Sequence, residues 1–220
     1  MTVAFTGYRP EKMPFIESKS DENYMRFRKR QLQVIERLIE RGCTDFISGV
    51  AMGFDIWAAE DVLSLQKKNK ALTLECAIPF NGQADGWDKD YQKRRYKLLS
   101  HATSSVVLSD HFSDDCYFKR NRYMVDKADA VVCAFNGKRG GTQYTVNYAL
   151  KQNNTADYDT DDDLDTGVDV ALAGCVGDGG LSVDGSLGEC VLDGVDELLH
   201  VNYLVLSLFD VSGWWLDQAV

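Results

Sequence analysis

Residues 129–150 read Asp129-Ala-Val-Val-Cys-Ala-Phe-Asn-Gly-Lys-Arg-Gly-Gly-Thr-Gln-Tyr-Thr-Val-Asn-Tyr-Ala-Leu150. The first seven residues form a short apolar, partly β-branched run, which predicts a buried strand. Val146, Ala149 and Leu150 then recur at helical spacing. Between the two lies Gly137-Lys138-Arg139-Gly140-Gly141-Thr142. Glycines let a backbone approach a phosphate, a helix amino end offers unpaired N–H groups, and Lys138 and Arg139 add positive charge. A strand, a glycine loop and a helix in that order predict a phosphate-binding loop; the plainer alternative is a flexible surface turn.

The same alternation runs through the preceding residues. Strands are predicted at 3–6, 43–48, 71–78 and 104–109. Helical spacing joins Leu32, Ile35, Leu38 and Ile39, then Ile56, Ala59 and Leu63, then Tyr96 and Leu99, then Met124 and Ala128. Five strand–helix alternations without a hairpin signature predict an α/β domain over residues 1–152, with a Rossmann-like, doubly wound and mostly parallel sheet. Ligands of such sheets bind beyond the carboxyl ends of the strands, so the loops opening at Gly7, Ser48, Pro79, Asp110 and Asn136 are the ones to read.

In Ser48-Gly49-Val-Ala-Met-Gly53-Phe-Asp55, the glycines permit a tight turn and Ser48 suits a phosphate or hydroxyl. Asp55 either caps the following helix or accepts from a ribose hydroxyl. No Gly-Lys-Ser/Thr follows, which separates this loop from the Walker type. In Thr6-Gly7-Tyr8-Arg9-Pro10, Arg9 suits a pyrophosphate and Tyr8 a base, against a proline-stiffened turn with a solvated arginine. Arg120, Asn121 and Arg122 bring two guanidiniums and an amide near the start of the fourth helix, at a cost to its dipole. Trp87 and Phe80 are candidate base platforms, with a place in the core as the alternative.

These motifs together, Thr6-Gly-Tyr-Arg-Pro, Ser48-Gly-x-Ala-x-Gly-x-Asp55, Arg120-Asn-Arg122 and Gly140-Gly-Thr142, resemble the YpsA-like branch of the SLOG superfamily. That superfamily also holds the DNA-processing protein DprA and the LOG cytokinin-activating phosphoribohydrolases. The resemblance covers residues 1–152 and implies a nucleotide or nucleotide-derived ligand, of ADP-ribose or AMP type, held by a sensor or sequestering module. It implies ligand contacts from Thr6, Gly7, Tyr8, Arg9, Ser48, Gly49, Gly53, Asp55, Arg120, Asn121, Gly140, Gly141 and Thr142, and pairing into a homodimer.

The LOG hydrolases carry Gly-Gly-x-Gly-Thr-x-x-Glu, whereas Thr145 stands at the glutamate position here, and no acid occurs between Asp129 and Asp157. An oxocarbenium-like transition state needs a carboxylate nearby, and Asp55 or Glu60 would have to supply it from across the crevice. Binding is therefore favoured, with no catalytic residue assigned; a nucleoside-monophosphate N-glycosidase is the alternative and DprA-like single-stranded DNA binding the second.

The net charge of −10 averages two unlike parts. Residues 1–152 hold all 24 Lys and Arg against 19 acids, a formal +5, while the remainder holds 15 acids and neither Lys nor Arg. That negative tail repels phosphates, so nucleic acid is a disfavoured partner. Residues 153–166 read as an acidic linker and 167–220 as an atypical extension in which 201–211 is a strand candidate. The late strand completes the sheet edge, or the tail mediates association, or it is an altered reading frame; Trp214-Trp215 would suit an interface. Six scattered cysteines without a C-x-x-C pair signal neither a metal site nor disulfides. No cofactor is expected. The absence of a signal-like start and of long apolar runs predicts a cytoplasmic protein with no membrane partner.

Overall fold

The structure is a computed structural model that describes residues 1–135, 138–153 and 204–207. Asn136, Gly137, the linker expected up to residue 166 and the rest of the extension, with Cys175, Cys190 and Trp214-Trp215, lie outside the described residues.

Six parallel strands form one sheet: β1 Thr2–Gly7, β2 Asp45–Ser48, β3 Thr73–Ile78, β4 Ser104–Val107, β5 Ala130–Ala134 and β6 Leu204–Ser207. Their order is β4-β3-β2-β1-β5-β6. The register pairs Val3 with Phe46 on one side and with Ala130 on the other. Central parallel strands are covered on both faces, which is why β1 and β5 read as continuous apolar runs; all five residues of β5 are buried. β6 pairs with β5 as an edge strand, so of the three readings of the tail the first is the one seen for these four residues.

Helices α1 Glu22–Glu40, α2 Phe54–Gln66, α3 Lys89–His101, α4 Cys116–Asp126 and α5 Gly141–Asn153 fill the crossovers. The chain steps from β1 out to β4 in one direction and then returns to β5 and β6 in the other. Right-handed crossovers reverse face when the direction reverses, and accordingly α1 packs on α2, α2 on α3, and α4 on α5. This is the doubly wound α/β architecture.

Local chemistry accounts for the helix boundaries. Asp21 and Asp88 cap α1 and α3, each carboxylate accepting two backbone N–H groups of the first turn. α1 buries Phe27, Gln31, Val34, Ile35 and Leu38, a single stripe. α2, flanked by α1 and α3 and lying on the sheet, is buried continuously from Phe54 to Ala59. α3 departs from expectation: Tyr96 is 75% exposed, and the buried positions are Tyr91 and Leu98. Standing at the end of the layer with α2 as its helix neighbour, α3 needs only a narrow stripe, and Leu99 is half-covered. Cys43, Cys76, Cys116 and Cys133 are buried free thiols. Among the described residues no helix is long and apolar enough to cross a membrane.

Candidate functional site

β1 is where the strand order reverses, with β2 on one side and β5 on the other. Chain direction diverges there, and a crevice opens at the carboxyl ends of the strands. Hydrogen bonds sew its walls together: Tyr8 N–H donates to the Ala134 carbonyl at 3.1 Å, and Phe54 N–H donates to the Tyr8 carbonyl at 3.2 Å. The Tyr8 ring is buried and meets Phe135 edge-on at 5.9 Å, so it forms part of the floor. Thr6 is buried beneath it. Gly7 contributes its N–H, which donates to the Asp55 carboxylate.

The β2–α2 loop is bent unusually tightly. Gly53, at φ +87° and ψ −130°, takes a conformation closed to other residues, and a Cβ there would lie 2.6 Å from the Tyr8 carbonyl oxygen. Val50 also has positive φ, at +42°, an outlier for a β-branched residue that costs about 1–3 kcal/mol. Ser48 helps hold that turn. Its hydroxyl donates to the Asp55 carbonyl at 2.8 Å and accepts from Val50 N–H at 3.1 Å. The hydroxyl expected to meet a ligand thus spends its hydrogen bonds on the loop itself.

Arg120, only 6% exposed, reaches from α4 into this loop. Its Nη1 donates to the Gly49 carbonyl at 2.6 Å and lies 3.6 Å from Asp55 Oδ2. Nε is buried without a hydrogen-bond partner. Asp55 is 4% exposed and accepts from the N–H groups of Ala51 and Gly7. Burial pushes its carboxyl up to about 6 despite Arg120, those two N–H groups and Arg9, all of which favour the charged form. Burial likewise lowers Arg120, with Asp55 opposing it. The Arg9 side chain lies within electrostatic reach of both and makes no hydrogen bond or ion pair with another described residue, while its backbone carbonyl accepts from Lys12 N–H at 3.0 Å. Arg120 at 3.6 Å and Arg9 within electrostatic reach therefore both act on one carboxylate that burial already drives towards neutrality.

The third wall is the amino end of α5. Gly140 accepts from Tyr144 N–H at 3.0 Å, and the helix begins at Gly141. The first-turn N–H groups have no partner within the helix, the property that makes such an end receptive to anions. Thr142 is buried there. Asn121 ties α4 to this turn: its Nδ2 donates to Thr145 Oγ1 at 2.7 Å, and Thr145 Oγ1 donates to the Gly141 carbonyl at 2.9 Å. Lys12 was not anticipated from the sequence. Its Nζ lies 5.8 Å from the centre of the Tyr8 ring and 3.7 Å from where a Gly140 side chain would begin. The only sequence signal is its place in the 3-10 turn Pro10–Lys12 directly after Arg9.

Two expected contributors sit elsewhere. Trp87 is half-buried against the edge of the core and carries Arg95 of α3 over its ring at 6.0 Å. Glu60 is bound by Arg94, with Nε at 2.7 Å and Nη2 at 2.8 Å, in a network that includes Glu17 and Arg28 between the helices of the first layer. Of the two carboxylates considered for the crevice, only Asp55 stands beside Arg120.

The family model YpsA, described as the YspA SLOG family, matches residues 3–162. The chain belongs to this family. Similar proteins include a "UPF0398 protein" of Bacillus pumilus (strain SAFR-032), 29% identical over 160 residues, which cover 71% of this chain and 83% of that protein. Another, from Bacillus thuringiensis (strain Al Hakam), is 26% identical over 160 residues, covering 71% of this chain and 86% of its own length. Among solved structures, DNA processing protein A of Helicobacter pylori is similar at TM-score 0.46 and 18% identity, over 69% of this chain and 61% of that one. DprA of Streptococcus pneumoniae is similar at TM-score 0.47 and 20% identity, over 69% and 47%. The chain thus spans less than two thirds of either of these structures, and at such identities the likeness concerns the fold.

One expectation is corrected by these findings. Nucleic acid was disfavoured as a partner because of the negative tail, yet the solved structures similar to this chain include two DNA processing proteins, one of them described by its single-stranded DNA binding mode. Net charge does not decide such repulsion, which depends on where the charges stand. Residues 1–152 carry the formal +5, and Arg9 and Arg120 stand within electrostatic reach of each other among the loops at this end of the sheet.

Proposed function

We propose that the crevice binds the phosphate of a nucleotide, and that it does so without breaking a bond. One observation carries the reading: Arg9 and Arg120 both lie within electrostatic reach of the single buried carboxylate of Asp55, and Arg120 Nε has no partner. A buried guanidinium with an unpartnered N–H is costly, and an anion delivered between these groups and the amino end of α5 reduces the cost. Lys12 adds an exposed cation beside the Tyr8 ring. The loop glycines Gly140 and Gly141 keep the approach to the helix end open, with nothing within 4 Å of a Cβ built on Gly141.

Turnover has less support. Thr145 is occupied in tying Asn121 to Gly141, and Asp55 is engaged by two N–H groups and Arg120. A carboxylate so held anchors the arginine better than it attacks or protonates a glycosidic bond.

A second reading, in which the phosphate belongs to single-stranded DNA, is favoured by the excess of five cations in residues 1–152. Titration of the full chain with pyrophosphate, AMP, ADP-ribose and a single-stranded oligonucleotide, followed by thermal shift and product analysis, tests both. Arg9→Ala is the informative variant, since the Arg9 side chain makes no hydrogen bond or ion pair with another described residue and its truncation is expected to spare the fold. Binding that Arg9→Ala weakens about tenfold supports the site. Release of free base would overturn binding without turnover, and no response of the folded protein to any probe would overturn the site itself.

A further inference from the structure

We propose that Phe112, backed by Phe80, is the stacking platform for a nucleobase whose phosphate is held at Arg120, an inference that rests on the phosphate reading above. β3 and β4 run parallel to β1, so the loops that follow them, carrying Phe80 and Phe112, rise at the same end of the sheet as the crevice. Phe112 is 62% exposed, yet it is not an isolated surface ring. It meets Phe80 edge-on at 5.5 Å, and Phe80 meets Tyr117 edge-on at 5.9 Å. Tyr117 stands on α4 three residues before Arg120, and positions three apart share a helix face. Its hydroxyl is also within electrostatic reach of the Arg120 guanidinium. An aromatic run therefore starts beside the buried guanidinium and ends in an open ring.

The chemistry of that run selects a base. An exposed phenyl with a firm aromatic backing offers a flat, apolar face at little entropic cost, and any base has a matching π-face. Lys119, exposed on α4, reaches Ser109 Oγ in the loop after β4 at 3.5 Å, which places a cation at the foot of the platform, where a backbone phosphate would pass. Stacking rings interleaved with cations are the combination that tracks a nucleotide or a single strand.

The test compares the full chain with its Phe112→Ala and Phe112→Trp variants by isothermal titration with inorganic pyrophosphate, AMP and a single-stranded oligothymidylate. Phe112→Ala is expected to weaken the base-bearing probes roughly 5- to 100-fold and to leave pyrophosphate unchanged, with Phe112→Trp restoring affinity. An effect on the oligonucleotide alone assigns the platform to a neighbouring base of a strand; an effect on AMP as well assigns it to the same nucleotide. Equal affinity of Phe112→Ala for every base-bearing probe that wild type binds overturns the platform and leaves the phosphate site standing. If wild type binds no probe, pyrophosphate included, the phosphate reading fails and the platform with it. Phe112 is exposed enough for its truncation to spare the fold, which an unchanged thermal midpoint verifies.

Discussion

Arg120 reaches its place because Gly49 has no side chain. Its Nη1 donates to the Gly49 carbonyl at 2.6 Å, and a Cβ on Gly49 would overlap that same nitrogen and fall 2.7 Å from Asp55 Oδ2. The glycine thus admits the guanidinium rather than loosening the loop. Gly49→Ala is expected to expel Arg120, cost at least about 1–3 kcal/mol and abolish phosphate binding. Denaturant midpoints and pyrophosphate titration check it; a variant that binds like wild type would show that Arg120 is dispensable.

Asp55 sets a pH dependence of stability. Its folded value, about 6, lies above the ordinary 3.8, so the folded state takes up this proton first. The cost of burying the charged carboxylate is present in full above pH 6 and relieved as the pH falls towards 4, a change of up to about 3 kcal/mol. Asp55→Asn removes the titration. Chemical denaturation from pH 7 to pH 4 should show wild type gaining on Asp55→Asn across that window, and a constant difference would refute it.

Gly53 and Gly141 should respond oppositely to the same substitution. Gly53→Ala meets a left-handed backbone and the Tyr8 carbonyl, and should destabilise by about 2 kcal/mol or more. Gly141→Ala meets open space at a helix start, where alanine is the better helix former, and should leave the thermal midpoint level or slightly raised. Its methyl would project where a phosphate approaches, so binding should weaken while stability holds. A Gly141→Ala protein that binds normally would remove the α5 end from the site.

Glu60 and Asp55 answer different arginines, Arg94 and Arg120. Glu60→Gln loosens Arg94 and Arg28 in the helix layer and should cost about 1 kcal/mol, since the pair is partly exposed. Nucleotide affinity should be unchanged within twofold in the same titration. A large loss of affinity would place Glu60 in the crevice after all.

The strands and helices were legible because burial on both sheet faces writes itself as apolar runs and helix stripes. Residues 129–135 and 146–150 needed no partner to be read. Tyr96 was misread because a stripe is visible in sequence while its width depends on how many neighbours the helix has, and α3 stands at the end of its layer. Among residues of the candidate site, Arg9, Asp55, Arg120 and the Gly140-Gly141 turn were singled out by residue type and loop position. Phe80 was read as a candidate base platform, but Lys12, Tyr117, Phe112 and the aromatic run were not, since they assemble from separate segments and carry no spacing of their own.

The sequence by itself determined the parallel α/β fold, the loops that face the crevice and the sharp change of charge after Lys151. Only the tertiary structure decided what each polar group is free to do. Ser48 and Asn121 satisfy the loop and the helix start, Glu60 answers Arg94, and Arg120 is left with an unpartnered Nε beside a carboxylate that burial is neutralising. The reason is physical: residue type sets what hydrogen bonds a side chain can make, but desolvation and the groups packed around it set which of them remain for a ligand.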